Sequence, residues 1–233
     1  MALQRVTLPL DPDCQTFLIP PDRLHYLQRV LRLQEGDRFI AMDGRGGRWL
    51  AQLEGDQGKI VEPLPQSREL GNPIHLGVAM PKGTGMEIII KQGTELGVSR
   101  ITPVVSERTL LRPSEGKIDR WQKIAQEAAE LACRSWIPQI DPPVPLAEFL
   151  SLDCSPRYIG VTTPAPSLLE LLLPNLANKG VILLTGPEGG WTELEQQTAV
   201  ERGWQPISLA PTVLSATTAP IVALAITVAV LYY

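Results

Sequence analysis

The chain has 233 residues, 44% of them hydrophobic and 20% charged, with a net charge of −4. That balance excludes a mainly disordered polymer, and the acidic sign excludes a protein that coats nucleic acid through its overall field, so any nucleic-acid contact must be a local patch. The length exceeds that of the usual single domain and predicts two domains of unequal size.

The opening stretch MALQRVTLPLDPD lacks an apolar run long enough for a secretory signal, and Asp11 and Asp13 do not suit a transit peptide. Cys14, Cys133 and Cys154 are far apart and odd in number, without the short spacing of a metal site or redox pair. Reduced thiols in a cytoplasmic protein are expected, with no metal. The first seventy or so residues then carry short strand-like runs, RVTLPL, TFLIP, DRFIAM, RWLAQL and KIVEPL, punctuated by Pro, Gly and Asp. This is the pattern of a small barrel. Between the second and third runs, residues 22–33 predict one short helix with Leu24, Leu27 and Leu31 inward and Arg23, Arg29 and Arg32 available to solvent. GRGG at 44–47 predicts a hairpin turn, because glycine takes positive φ angles without steric cost. Arg45 lies within it and Arg48 follows it, so Arg23, Arg29, Arg32, Arg45 and Arg48 are the expected local basic patch for RNA.

The polar, breaker-rich stretch PLPQSRELGNP places a domain boundary near Gly71, giving domains 1–71 and 72–233. Beyond it IHLGVAM, RITPVV, RYIGV, VILLTG and QPISLA alternate with helix-length stretches, the pattern of a parallel α/β sheet. Residues 120–134 form the clearest helix. Trp121, Ile124, Ala125, Ala128, Leu131 and Ala132 share its apolar stripe, and Lys123, Glu127, Glu130 and Arg134 share a polar face with an i,i+4 pair from Glu130 to Arg134. No charge follows Arg202. The final apolar run from Ile221 is shorter than the ~20 residues that a bilayer core requires, so it predicts no membrane span but a buried helix over 217–231, within the domain or in a subunit interface.

VILLTGPEGGWTELE at 181–195 reads as a buried strand, a glycine and proline turn, and a helix with the capping box Thr192 and Glu195. A strand-end loop of this kind in an open α/β sheet is where ligands bind, since helix N-termini supply free N–H groups there. GPEGG is not a phosphate loop: it has no Lys and the wrong spacing. His25 and His75 have no partner at useful spacing and predict surface or structural roles.

GPEGG after an apolar strand, KGTGMEIIIKQGTELGVSRITPVVSERT upstream, LAPTVLSATTAP downstream and HYLQRVLRLQEGD near the N-terminus together resemble the ribosomal small-subunit methyltransferase E family. The resemblance runs over almost the whole chain. It implies a PUA-like barrel followed by an α/β domain of the SPOUT class, with a parallel sheet and a deep trefoil knot. It further implies S-adenosylmethionine as cofactor, N3 of a uridine in 16S ribosomal RNA as methyl acceptor, free RNA or the small ribosomal subunit as partner, and a homodimer. The cofactor pocket would be made by Thr185, Gly186, Pro187, Glu188, Gly189 and Gly190 of one loop and by Leu209, Leu214, Ser215 and Ala219 of a second.

The chain departs from the family pattern in places. Where the family reads Leu-Gly-x-Arg-Ile-Leu-Arg-x-Glu-Thr-Ala, this chain has Thr212, Ser215 and Thr217 at the two arginine positions and the glutamate position; Gln92 and Leu131 replace a lysine and a glutamine. Uridine N3 carries a proton that must leave, so a carboxylate, hydroxyl or cation is required nearby. Glu188 and Arg134 are the candidate catalytic residues. Arg108 and Arg112, in SERTLLRP, are further candidates for RNA phosphates. The competing expectation is a fold that retains RNA and cofactor affinity but has lost catalysis.

Overall fold

Short β-rich runs bounded by breakers become five strands among the described residues of the first unit: β1 (Arg5–Thr7), β2 (Thr16–Leu18), β3 (Arg38–Met42), β4 (Arg48–Glu54) and β5 (Gln57–Pro63). This computed structural model describes residues 3–11, 14–65, 69–109, 115–153, 156–175 and 180–232. The sheet order is β1-β3-β4-β5-β2, antiparallel except for β1 beside β3. Both edge strands send side chains into one core: Val6 and Phe17 meet Leu27, Phe39, Ala41, Ala51 and Leu53, so the sheet curls around its apolar face as the barrel reading expects.

The helix expected over 22–33 is shorter. It consists of α1 (Pro21–His25) and a π-turn over Tyr26–Val30, closed by the Leu31 N–H on the Tyr26 carbonyl at 3.0 Å. Arg32 then takes φ 58°, which ends the helix. Leu27 is fully buried, with Leu24 and Leu31 packed on the same core. Arg23, expected to face solvent, instead sits 3.2 Å from Glu130.

The second unit is a parallel sheet. Its main strands are β6 (Ile74–Ala79), β7 (Arg100–Val105), β10 (Arg157–Gly160), β11 (Val181–Thr185) and β12 (Gln205–Ile207), with two short strands, β8 (Gln139–Ile140) and β9 (Val144–Pro145), that the sequence reading did not single out. The order is β12-β10-β11-β6-β7-β8, with β9 also on β7. β11 is central and every residue of VILLT is buried, as a strand covered on both faces requires. Helices α2 (Gly85–Glu95), α3 (Glu115–Leu131), α4 (Leu146–Phe149), α5 (Leu168–Leu172), α6 (Glu193–Glu201) and α7 (Thr218–Tyr232) complete the elements.

A single break near Gly71 does not describe the division in full. The first unit comprises residues 1–69 together with 126–137, and the second 70–125 with 138–233, so α3 begins in the second unit and ends in the first. This explains three departures on α3. Glu130, expected on a solvated face, is buried because its Oε1 accepts the Thr7 N–H at 2.8 Å. Arg134 is also buried and donates to Glu69 at 3.0 Å, so the expected Glu130 to Arg134 pair is replaced by partners from the curled sheet and its outgoing strap. Leu131, expected inward, is 75% exposed because it is the last residue of the helix, two positions before Cys133 turns left-handed at φ 61°. Burial pushes the Glu130 carboxyl above its usual range, against the Thr7 and Arg23 contacts that favour its charged form.

Candidate functional site

Three neighbouring parallel strands, β12, β10 and β11, end on the same edge, and the loops that leave them line one cleft of about 700 Å³. That is the carboxyl edge of an open α/β sheet, where backbone groups are exposed and ligands bind.

The loop after β11 is built first. Thr185 ends the strand with its side chain buried, and its Oγ1 has no hydrogen-bond partner among the described residues. Gly190 turns left-handed at φ 68°, closing the turn with its N–H on the Pro187 carbonyl at 2.9 Å. Thr192 then caps α6 in the expected reciprocal box: Thr192 Oγ1 accepts the Glu195 N–H at 3.2 Å, and Glu195 Oε2 accepts the Thr192 N–H at 2.9 Å. Trp191 is buried and donates its indole N–H to the Gly160 carbonyl at 2.9 Å, tying this loop to the end of β10. A methyl group on Gly186 would lie 3.1 Å from the same ring, a tight contact that the indole would have to relieve by shifting a few tenths of an ångström.

Loops from β6 and β7 hold the turn from the other side. Glu188 Oε1 accepts the Lys82 N–H at 2.9 Å, and Arg108 donates to the Gly189 carbonyl at 2.6 Å. Glu195 Oε1 takes the Glu107 N–H at 2.8 Å. The second loop, after β12, runs into α7, whose start Ser215 caps: its Oγ accepts the Thr218 N–H at 3.1 Å. Thr217 Oγ1 lies where a Cβ on Gly85 would come within 2.8 Å, so this hydroxyl is packed on the start of α2.

Thr185, Gly186, Pro187, Glu188, Gly190, Leu209, Leu214, Ser215 and Ala219 all line the cleft. Gly189 does not; it faces Arg108, whose Cδ would be 3.1 Å from a Cβ there. Sequence reasoning missed the third wall, the loop after β10 with Gly160, Thr162, Thr163 and Pro164, as well as Trp191 and Gln196. RYIGV followed by TTPAP carries the same signal as VILLTGPEGG, a strand running into small and breaker residues, and could have pointed to it. Among the described lining residues Glu188 is the single charged side chain.

Arg134 belongs to the first unit with Glu69 and does not line the cleft. Arg29, Arg32 and Arg45 of the first unit are exposed, and Arg48 is half-buried with an Nε that has no partner among the described residues. Arg108 is engaged by Gly189, and Arg112 lies outside the described residues. Among the described residues no group of three or more His, Cys, Asp or Glu could hold a metal ion, and no helix is long and apolar enough to cross a membrane.

Residues 68–228 match the family model of an RNA methyltransferase domain, and residues 19–63 that of an RNA methyltransferase PUA domain. The chain is 41% identical to the ribosomal RNA small subunit methyltransferase E of Synechocystis, over 97% of this chain and 77% of that protein. It is 28% identical to the Bacillus subtilis protein of the same name, over 91% and 89%. The crystal structure of the Neisseria gonorrhoeae ribosomal RNA small subunit methyltransferase E bound to S-adenosylmethionine superposes with a TM-score of 0.89 at 30% identity, covering 96% of each chain. A Legionella pneumophila structure in complex with the same cofactor also gives 0.89, at 28% identity and 98% coverage of each. With a catalytic-domain model matched over more than half its length, and a relative of this identity along nearly all of it, the chain belongs to the ribosomal RNA small subunit methyltransferase E family.

Proposed function

We propose that this chain transfers the methyl group of S-adenosylmethionine to N3 of a uridine in 16S ribosomal RNA, acting in the cytoplasm as a homodimer. The observation that carries this reading is the cleft at the ends of β10, β11 and β12, with a buried, unpartnered Thr185 hydroxyl and a single charged lining residue, Glu188. These residues fit the cofactor. Its sulfonium is a cation, and no described lining residue is a lysine or arginine that would repel it. Thr185 offers a hydrogen-bonding oxygen, and Gly190, with open space where a side chain would stand, allows close backbone approach.

When bound, S-adenosylmethionine supplies an electrophilic methyl on positively charged sulfur, which passes to the acceptor nitrogen with departure of the thioether product. The protein has to align the acceptor, exclude water and take the N3 proton. We assign the proton to Glu188. Its Oε1 is held by the Lys82 N–H, which fixes the carboxylate, while Oε2 has no partner among the described residues. Arg134 is given no step, because it is buried and paired with Glu69. The resemblance assigns the trefoil knot to the segment carrying both cleft loops; support comes from the convergence of those loops on one cleft. Arg29, Arg32, Arg45 and Arg48 remain the proposed basic surface for RNA, and Arg108 is reassigned to holding the Gly189 turn.

A specific observation favours a second reading, a binding protein without catalysis: Thr212, Ser215 and Thr217 leave the second loop uncharged, and Ser215 is taken up by capping α7. Incubation of the purified chain with methyl-labelled S-adenosylmethionine and either free 16S RNA or small ribosomal subunits separates the two. Label in 3-methyluridine after nuclease digestion is expected, with Glu188→Gln lowering kcat by roughly 10²- to 10⁴-fold at retained cofactor affinity. Cofactor and RNA binding without label in any nucleoside would establish the second reading.

A further inference from the structure

The hairpin tip between β3 and β4 carries a feature that the cleft does not use. Asp43 Oδ1 accepts the N–H groups of Arg45 at 2.7 Å and Gly47 at 2.9 Å, which fixes the loop from within. The strap that leaves α3 then pairs with this tip. Gly46 donates to the Ser135 carbonyl at 3.0 Å, Ile137 donates to the Gly44 carbonyl at 3.0 Å, and Arg45 and Trp136 are antiparallel bridge partners. All of these residues belong to the first unit.

Bridge partners project to the same side of their ladder, with Cβ atoms about 5 Å apart. Arg45 and Trp136 therefore share one face. A Cβ on Gly46 would lie 2.6 Å from the indole nitrogen, and Gly46 has φ 102°, so glycine is required twice over for the ring to rest there. Trp136 is nevertheless 47% exposed, whereas the chain's other four tryptophans are buried or half-buried. Its indole N–H and the exposed Arg45 guanidinium have no hydrogen-bond or ion-pair partner among the described residues. A single exposed apolar side chain is ordinary. A tryptophan held in place by a backbone ladder, with a glycine cleared beneath it and an unpaired cation on the same face, is the arrangement that binds a single-stranded nucleotide: the ring stacks the base and the cation meets the phosphate.

We propose that Trp136 and Arg45 form a stacking site for one unpaired nucleotide of the RNA substrate. The site rests on the RNA-modifying reading above. It also explains why a GRGG hairpin that is no phosphate loop carries an arginine at its tip: Arg45 is paired with an aromatic surface.

The test compares wild type, Trp136→Ala, Trp136→Phe and Arg45→Ala in the full chain, by fluorescence anisotropy with a short single-stranded RNA and with a duplex of the same composition. Trp136→Ala should weaken single-strand binding by roughly 5- to 150-fold, the range expected for one lost stack, with duplex binding and the salt slope unchanged. Trp136→Phe should restore most of the affinity. Arg45→Ala should flatten the salt slope by about one phosphate contact. The far-UV circular dichroism spectrum and a cooperative thermal melt should be kept in all variants, which separates a lost site from a lost fold. Equal single-strand affinity of wild type and Trp136→Ala overturns the inference alone. So does a change in oligomeric state on light scattering with RNA affinity kept, which would make Trp136 a subunit contact. A wild-type chain that binds no RNA overturns the RNA-modifying reading together with this one.

Discussion

Thr185 shows what a single side chain contributes. Its hydroxyl is buried at the end of β11 and lacks a partner among the described residues, an arrangement that costs stability until something polar arrives. Thr185→Val removes the hydroxyl with little change of shape. The variant should be at least as stable as wild type without cofactor, by thermal melting, yet bind S-adenosylmethionine roughly three- to tenfold more weakly by calorimetry, the worth of one hydrogen bond. Unchanged affinity would detach Thr185 from the cofactor. His75 makes a prediction of the opposite kind, about stability. Thr102 Oγ1 donates to Asp141, so the 2.7 Å contact must be the His75 Nε2–H donating to Thr102, with Phe149 edge-on to the ring at 5.2 Å. Burial first, and then the Arg100 guanidinium, lower its pKa to about 4, against the opposing pull of Asp141. A histidine whose folded pKa lies below its unfolded value of ~6.5 contributes stability above that pH and loses it as the pH falls toward 4. Denaturant titrations should therefore show wild type losing stability between about pH 6.5 and 4, with a shallower slope for His75→Gln. Parallel slopes would contradict the assignment. The reading of His75 as a surface or structural residue was available from sequence; its partners were not, because Thr102 lies on β7 and Asp141 just beyond β8.

At the scale of elements, periodicity was a good guide wherever one segment settled its own structure. The five strand-like runs on each side of the boundary, the hairpin at 44–47 and the capping box at Thr192 and Glu195 depend on neighbours in sequence. What escaped were features made by distant contacts. The short helix after β2 is cut off by a π-turn and by Arg32, and the end of α3 is dictated by Thr7, which is 123 positions away from Glu130. Helix α7 lies between these cases. Its apolar character was evident, and it buries Pro220, Ala223, Leu224, Thr227 and Val230 on one face. The other face stays apolar but only partly covered, with Ile221, Val222 and Ile226 half-buried and Ala225 and Ala229 exposed. The sequence-based expectation that the whole helix is buried therefore holds for one face of the single chain, and a second copy is the proposed cover for the other. Ala225→Glu puts a charge on the exposed face. It should leave the monomer folded by circular dichroism and split the dimer by light scattering. A wild-type chain that is monomeric at micromolar concentration, or a variant that remains dimeric, would remove α7 from the interface.

For the molecule as a whole, the order of a curled sheet and then a parallel α/β sheet was legible, because the two halves use different hydrophobic grammar. The return of residues 126–137 to the first unit was not, since nothing in a regular helix announces that its two halves serve different cores. The cleft was half legible. Two of its loops follow recognisable strand-to-glycine or strand-to-proline patterns; RYIGV and TTPAP carry the same kind of signal, but that they form a wall of the same cleft follows from the position of β10 between β11 and β12. With Thr212 and Ser215 at two positions that the family fills with arginine, Glu188 is the one charged residue of the described lining, and the proposed mechanism gives it the proton of the acceptor. The most direct test is nucleoside mass spectrometry of 16S ribosomal RNA from cells that lack this protein, with complementation by wild type and by Glu188→Gln. The account predicts that 3-methyluridine disappears on deletion, returns with wild type and stays low with Glu188→Gln. An undiminished level of 3-methyluridine in the deletion strain would contradict it.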